Sequence, residues 1–168
     1  MMLLRHLLSI AALPFMVTVV IPVWIARRYG VVLRWPDTPG EYALAALSVP
    51  VLLVGFALFA SSVRRFATEG KGTLAPWDPP RRLVVHGPYR YVRNPMISGV
   101  NFMLCGEALL LRSWPHAVWA AIFILANVTW IPLYEEPHLE RVFGEEYREY
   151  KRHVRRFMPR ATPWTGRR

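Results

Sequence analysis

Apolar residues in this chain gather into long runs, and the charged residues lie between the runs rather than alternating with them. Residues 7–26 form 20 positions without a charge, enough to cross a hydrocarbon layer at about 1.5 Å per helical residue. Residues 42–63 form a second uncharged run. The third, 96–111, has only 16 residues and holds Asn101 and Glu107. The fourth, 117–134, follows a short turn around Ser113, Trp114 and Pro115, so the last two runs are expected to pair as an antiparallel hairpin. Pro14, Pro22 and Pro50 would break helices in water, but neighbouring groups inside a membrane can satisfy the freed carbonyls. Beyond Pro137, the residues Leu139, Val142, Phe143, Tyr147, Tyr150, Val154 and Phe157 recur at helical spacing. Arg148, Lys151, Arg152, Arg155 and Arg156 flank them, which predicts an interfacial amphipathic helix against anionic headgroups, bent at Gly144. The fold expected is all-α: a polytopic membrane protein of four spans plus this C-terminal helix. It reads as a single domain, with the first two spans in 1–63, a loop in 64–95, the hairpin in 96–134 and a C-terminal segment in 135–168.

Composition sharpens this picture. The chain is 54% hydrophobic yet carries a formal charge of +10, so the basic residues must collect outside the spans. That distribution argues against a nucleic-acid partner, which would need a basic face on a water-soluble fold. With four spans, the N-terminus, the 64–95 loop and the C-terminal tail share one side and hold 17 of the 21 Lys and Arg residues. The positive-inside rule puts that side in the cytoplasm. The first run is too long for a cleaved leader and is expected to be retained. Cys105, the one cysteine, rules out an intrachain disulfide. His86 at a Gly-Pro turn is expected to be a surface histidine, and His116, His138 and His153 lack metal-ligand spacing. The tryptophans Trp24, Trp35, Trp77 and Trp114 suit an interfacial belt.

Two stretches carry candidate chemistry. The first is the loop PWDPPRRLVVHGPYRYVRNP, residues 76–95, whose prolines and Gly87 fix turns beyond what a tether needs. The second is YEEP, residues 134–137, where two adjacent carboxylates at the end of a span repel one another and call for a cation. The hairpin brings Arg93, Asn94 and Pro95 towards Glu135 and Glu136. An arginine for a carboxylate and a glutamate for an ammonium would suit a zwitterionic ligand. Arg90, three positions before Arg93, is expected to be a replaceable surface charge. Glu107 either lines an acceptor cavity or is a protonated or paired carboxyl near the far interface. Asn101 and Asn127 are expected to bond across the hairpin.

The pattern GPYRYVRNPM…G, followed some forty residues later by EEP..E..FGEEY..Y, resembles the isoprenylcysteine carboxyl methyltransferase and phospholipid methyltransferase superfamily over roughly residues 70–160. The resemblance implies an S-adenosylmethionine-dependent methyltransferase. It also implies a cofactor pocket at Leu83, Val84, Tyr89, Asn94, Pro95, Met96, Ile97 and Glu135, with Arg93 and Glu136 in a catalytic or cofactor-orienting role. Asn94, Ile97 and Ile131 stand where prenylcysteine enzymes carry other residues, which argues against a prenylcysteine carboxylate. A small or lipid-like acceptor, methylated at a carboxylate oxygen or an amine, is expected. A membrane reductase of the sterol-reductase type and a non-catalytic membrane scaffold are the rival readings.

The four-span topology is checked by reporter fusions at residue 168 and within residues 36–40. They should report opposite sides of the membrane, and a shared side would eliminate the model.

Overall fold

The computed structural model describes residues 11–69 and 83–166, and no strand occurs among them. A π-helical segment, Ala11–Val20, runs directly into helix α1, Ile21–Tyr29. Helix α2, Pro39–Glu69, is followed by a 3-10 turn, Gly87–Arg90, and by α3, Pro95–Leu111. Helix α4, Trp114–Trp130, passes through a π turn, Ile131–Glu135, into α5, Glu136–His153. The first expected span lies partly outside the described residues, as does the loop up to Arg82.

The second run sits within α2 and the third nearly coincides with α3. The fourth continues without a break into the C-terminal helix, although Pro132 and Pro137 each remove a backbone donor. The chain accommodates them by widening one turn, in which the Glu136 N–H reaches five residues back to the Ile131 carbonyl. Two helices, Pro39–Arg65 and Trp114–His153, are long and apolar enough to cross a membrane. Only 11% of the most apolar window of each is buried, unlike the core helix of a water-soluble protein. Phe56, Leu53, Leu125 and Ile122 are more than half exposed, a surface suited to lipid tails.

Helices α2 and α3 pack antiparallel through small residues. Ser48, Gly55 and Ser62 recur every seven positions on α2, as do Gly99 and Gly106 on α3. Both serines are fully buried. A Cβ on Gly99 would stand 2.8 Å from the Gly55 carbonyl oxygen and 2.8 Å from the Phe59 nitrogen, both backbone atoms. Backbones this close are the usual route to tight contact where no water is expelled between helices. The hydroxyls of Ser48 and Ser62 turn back to carbonyls of their own helix, at Ala45 and Leu58.

Helix α4 completes the bundle by supporting the segment around Pro14 and Pro22. Trp119 Nε1 donates to the Val17 carbonyl at 3.1 Å, whose five-residue partner in a π pattern would be the N–H that Pro22 lacks. His116, 2% exposed, bridges Ser113 Oγ at 2.8 Å and the Pro22 carbonyl at 3.1 Å. Because a carbonyl can only accept, Nε2 carries the proton and Nδ1 accepts from Ser113. The expected bonds across the hairpin are not made: Asn127 donates to Phe123 of its own helix, and Asn101 Oδ1 is buried without a partner. At the far end, Arg34 pairs with Asp37 and Glu41, while Arg112 donates to the Arg34 carbonyl at 2.6 Å. The two short loops are thereby tied together.

Gly99→Ala should push α2 and α3 apart and lower stability by about 1–3 kcal/mol through overpacking. Gly40→Ala, where an added Cβ meets nothing within 4 Å, should leave the thermal midpoint in detergent essentially unchanged.

Candidate functional site

The C-terminus of α2, the N-terminus of α3 and the α4–α5 junction lie at the same end of the bundle, because each successive pair runs antiparallel. The loop enters that end through Gly87, whose φ of +57° is readily adopted only without a side chain. Pro88 is the second residue of the 3-10 turn, and Asn94 and Pro95 begin α3 with Pro95 in the first helical position, where a missing N–H costs nothing. Asn94 sits at the cap, but its side chain makes no cap bond.

The centre of the site is Glu136, 2% exposed. Arg93 Nη1 donates to its Oε1 at 2.8 Å. Arg156 grips both oxygens, Nε to Oε1 at 2.6 Å and Nη2 to Oε2 at 3.0 Å. Lys151 Nζ lies 3.2 Å from Oε2 and 2.7 Å from Glu140. Burial alone would push the Glu136 carboxyl up, but the bonds from Arg156, Arg93 and Lys151 outweigh it and hold the pKa below the ordinary carboxylate value. The Arg93 Nη1 also donates to the Tyr147 hydroxyl at 3.3 Å. Burial and the neighbouring Glu136 charge push that phenol up to about 12, so it stays protonated.

Arg93 has a side chain only 8% exposed. Its Nε is buried and has no partner, although an arginine edge of this kind ordinarily forms two parallel bonds. Glu135, one residue before Glu136, is half-buried. Among the described residues no hydrogen bond or ion pair reaches its carboxylate, and burial followed by the Glu136 charge raises its pKa. The Tyr89 ring lies close to this carboxyl and to the Ser62 hydroxyl; burial first and the Glu135 charge second raise its pKa. A buried guanidinium Nε and a half-buried carboxyl, both without partners among the described residues, thus adjoin the Glu136 cluster.

Other expected residues have packing roles. Leu83 packs with Val85, Leu139, Phe143 and Trp164 around buried Tyr147, Tyr150 and Val154. Val84 is buried. Met96 and Ile97 occupy the first turn of α3, half-buried, beside buried Pro95. The apolar stripe of the C-terminal helix therefore does not face headgroups as expected. The extended loop segment 83–85 and Trp164 of the tail cover much of it, and Gly144 (φ 57°, ψ −130°) kinks α5. Val142 alone among its larger aliphatic residues is left more than half exposed.

The tail then runs antiparallel to the loop. Arg93 N–H donates to the Arg155 carbonyl at 2.9 Å, Asn94 N–H to Arg156 at 3.3 Å, and Arg160 N–H to Tyr91 at 2.9 Å. Arg90 is not the replaceable charge expected: its Nε donates to the Trp164 carbonyl at 2.8 Å, and its own carbonyl accepts from Trp164 N–H. The Tyr150 hydroxyl donates to the Tyr89 carbonyl at 2.6 Å. Arg156 was assigned to headgroups by its flanking position. Its role on Glu136 was foreshadowed only by the general need of a buried carboxylate for cations. Glu107 Oε2 is buried without a partner, on α3 well away from this cluster. No group of three metal-ligating side chains occurs among the described residues.

Among the described residues the chain is an all-helical bundle with apolar flanks and a buried charged cluster at one end. The family model for phospholipid methyltransferase matches residues 43–146, well over half the chain, and the chain belongs to that family. No curated protein and no solved structure matches it. The matched stretch contains Arg93, Asn94, Glu135 and Glu136 and ends before Tyr147 and Arg156.

Because the Glu136 pKa is lowered in the folded state, the stability it contributes is present above the carboxylate value of 4.5 and lost as pH falls through the folded value. Acid unfolding followed by thermal melts from pH 7 to 3 should show this loss. Glu136→Gln, which leaves Arg93 and Arg156 without their carboxylate, should cost about 3–5 kcal/mol at pH 7 and flatten the acid limb.

Proposed function

We propose that the chain is an integral membrane methyltransferase that uses S-adenosylmethionine to methylate a small or lipid-like acceptor at a carboxylate oxygen or an amine. Its four spans would place both termini and the site in the cytoplasm. The observation that carries the reading is the partnerless buried Nε of Arg93, which Nη1 holds against Glu136, with the preceding Glu135 carboxyl left unpaired among the described residues. An amino-acid end, with one carboxylate and one ammonium, satisfies both at once.

S-adenosylmethionine supplies an electrophilic methyl group on a sulfonium. The chain's own residues bind and orient. The Nε edge of Arg93 donates to the ligand carboxylate, and Glu135 accepts from the ammonium, which also relieves its repulsion from Glu136. The side chains of Asn94, Met96 and Ile97 at the start of α3, with Tyr89, line the approach. Glu136 holds Arg93 and does not touch the ligand. Leu83 and Val84 act through packing of the loop. The contribution of these residues to rate is positioning and exclusion of water. An apolar acceptor would enter between lipid-exposed helices, while the soluble ligand would enter from the cytoplasm. The phosphates of a nicotinamide cofactor fit poorly beside two carboxylates, which disfavours the reductase reading.

Arg93→Lys should cut methyl transfer into a membrane lipid extract by about tenfold or more, since lysine lacks the planar fork. Glu135→Gln should weaken S-adenosylmethionine binding by about tenfold with the thermal midpoint preserved. Calorimetry in detergent showing unchanged affinity for both variants would remove this pair from the ligand site.

A further inference from the structure

We infer that Arg156 is a positioning residue that keeps the Nε edge of Arg93 available to a ligand carboxylate by occupying both oxygens of Glu136 itself. The inference rests on the cofactor reading above and adds a residue beyond the family-matched stretch. Two arginines meet one carboxylate in different ways. Arg156 uses its fork, with bonds at 2.6 and 3.0 Å, whereas Arg93 makes one contact through Nη1 at 2.8 Å. A buried carboxylate beside a single arginine draws the two-bond fork, the strongest arrangement open to the pair. Without Arg156, Arg93 would turn that edge onto Glu136 and close it to any other anion.

Charge balance is not what Arg156 adds. Lys151 already stands 3.2 Å from Oε2, and Arg93 supplies a second positive charge. The contribution is geometric, and the backbone fixes it. The carbonyls of Arg155 and Arg156 accept from the N–H groups of Arg93 and Asn94, so the tail and the loop are held in register with both guanidinium groups on Oε1 of the carboxylate. Arg156 never touches the ligand and acts through Arg93.

Carboxylate discrimination separates this role from a merely structural one. Full-length protein in detergent would be titrated calorimetrically with S-adenosylhomocysteine and with its decarboxylated analogue, which keeps the ammonium. Wild type should prefer the first by about tenfold or more. Arg156→Lys retains the charge but not the fork. It should reduce that preference to about threefold or less, with affinity for the decarboxylated analogue and the thermal midpoint near wild type. An unchanged preference, or equal weakening of both ligands, overturns the role given to Arg156. Failure of wild type to bind S-adenosylhomocysteine overturns the cofactor reading instead. Should Arg156→Lys not fold, Arg156→Gln decides, because it removes the fork and leaves Glu136 paired with Arg93 and Lys151. Its preference should also fall to about threefold or less, and a preference near the wild-type ratio refutes the mechanism.

Discussion

Removing a carboxylate from water costs several kcal/mol unless cations replace its hydration. Glu136, 2% exposed, has them from three parts of the chain: Arg93 from the loop, Lys151 from its own helix and Arg156 from the tail. The cluster makes each one's position conditional on the others. It also explains why the loop needs little regular structure: its N–H groups at Arg93 and Asn94 are satisfied by the tail, and its apolar residues by Tyr147 and Tyr150.

The helices were legible in the sequence because a charge-free run of about twenty residues has few alternatives. The convergence of Arg93 on Glu136 was legible because a short hairpin turn leaves the ends of its two helices side by side. What covers an amphipathic stripe was not legible. Leu139, Phe143, Tyr147 and Tyr150 have the same periodicity whether they meet lipid or protein, and the loop that covers them is irregular. Arg156 was hidden for a related reason. Five basic residues in the tail look alike in one dimension, and only the extended path after His153 singles one out. The seven-residue spacing of Ser48, Gly55 and Ser62 against Gly99 and Gly106 was a readable signal, because small residues in phase mark a close helix contact.

That close contact also serves the site. Tyr89 reaches the Ser62 hydroxyl at the last small position of the α2 seam, so the face that lets α3 approach also receives the loop. At the opposite end, the Arg34, Glu41 and Arg112 ties brace the short loops, and His116 fixes the proline-bearing first segment to α4. The bundle is closed by specific polar ties at one end and by the buried ion cluster at the other, while its flanks remain apolar.

The widened turn at Ile131–Glu135 makes the chain far more sensitive to length than to side-chain identity at this point. Each residue of a helix turns the chain by about 100°. Deleting or inserting one residue while the wide turn keeps its form would swing Glu136 and all of α5 by roughly that angle about the helix axis. The carboxylate would leave its arginines, and the tyrosines would leave the loop, although no chemical group had been removed. Substitutions at the exposed Leu133 and Tyr134 can be absorbed locally, whereas insertions and deletions are read by the whole tail as a change of direction.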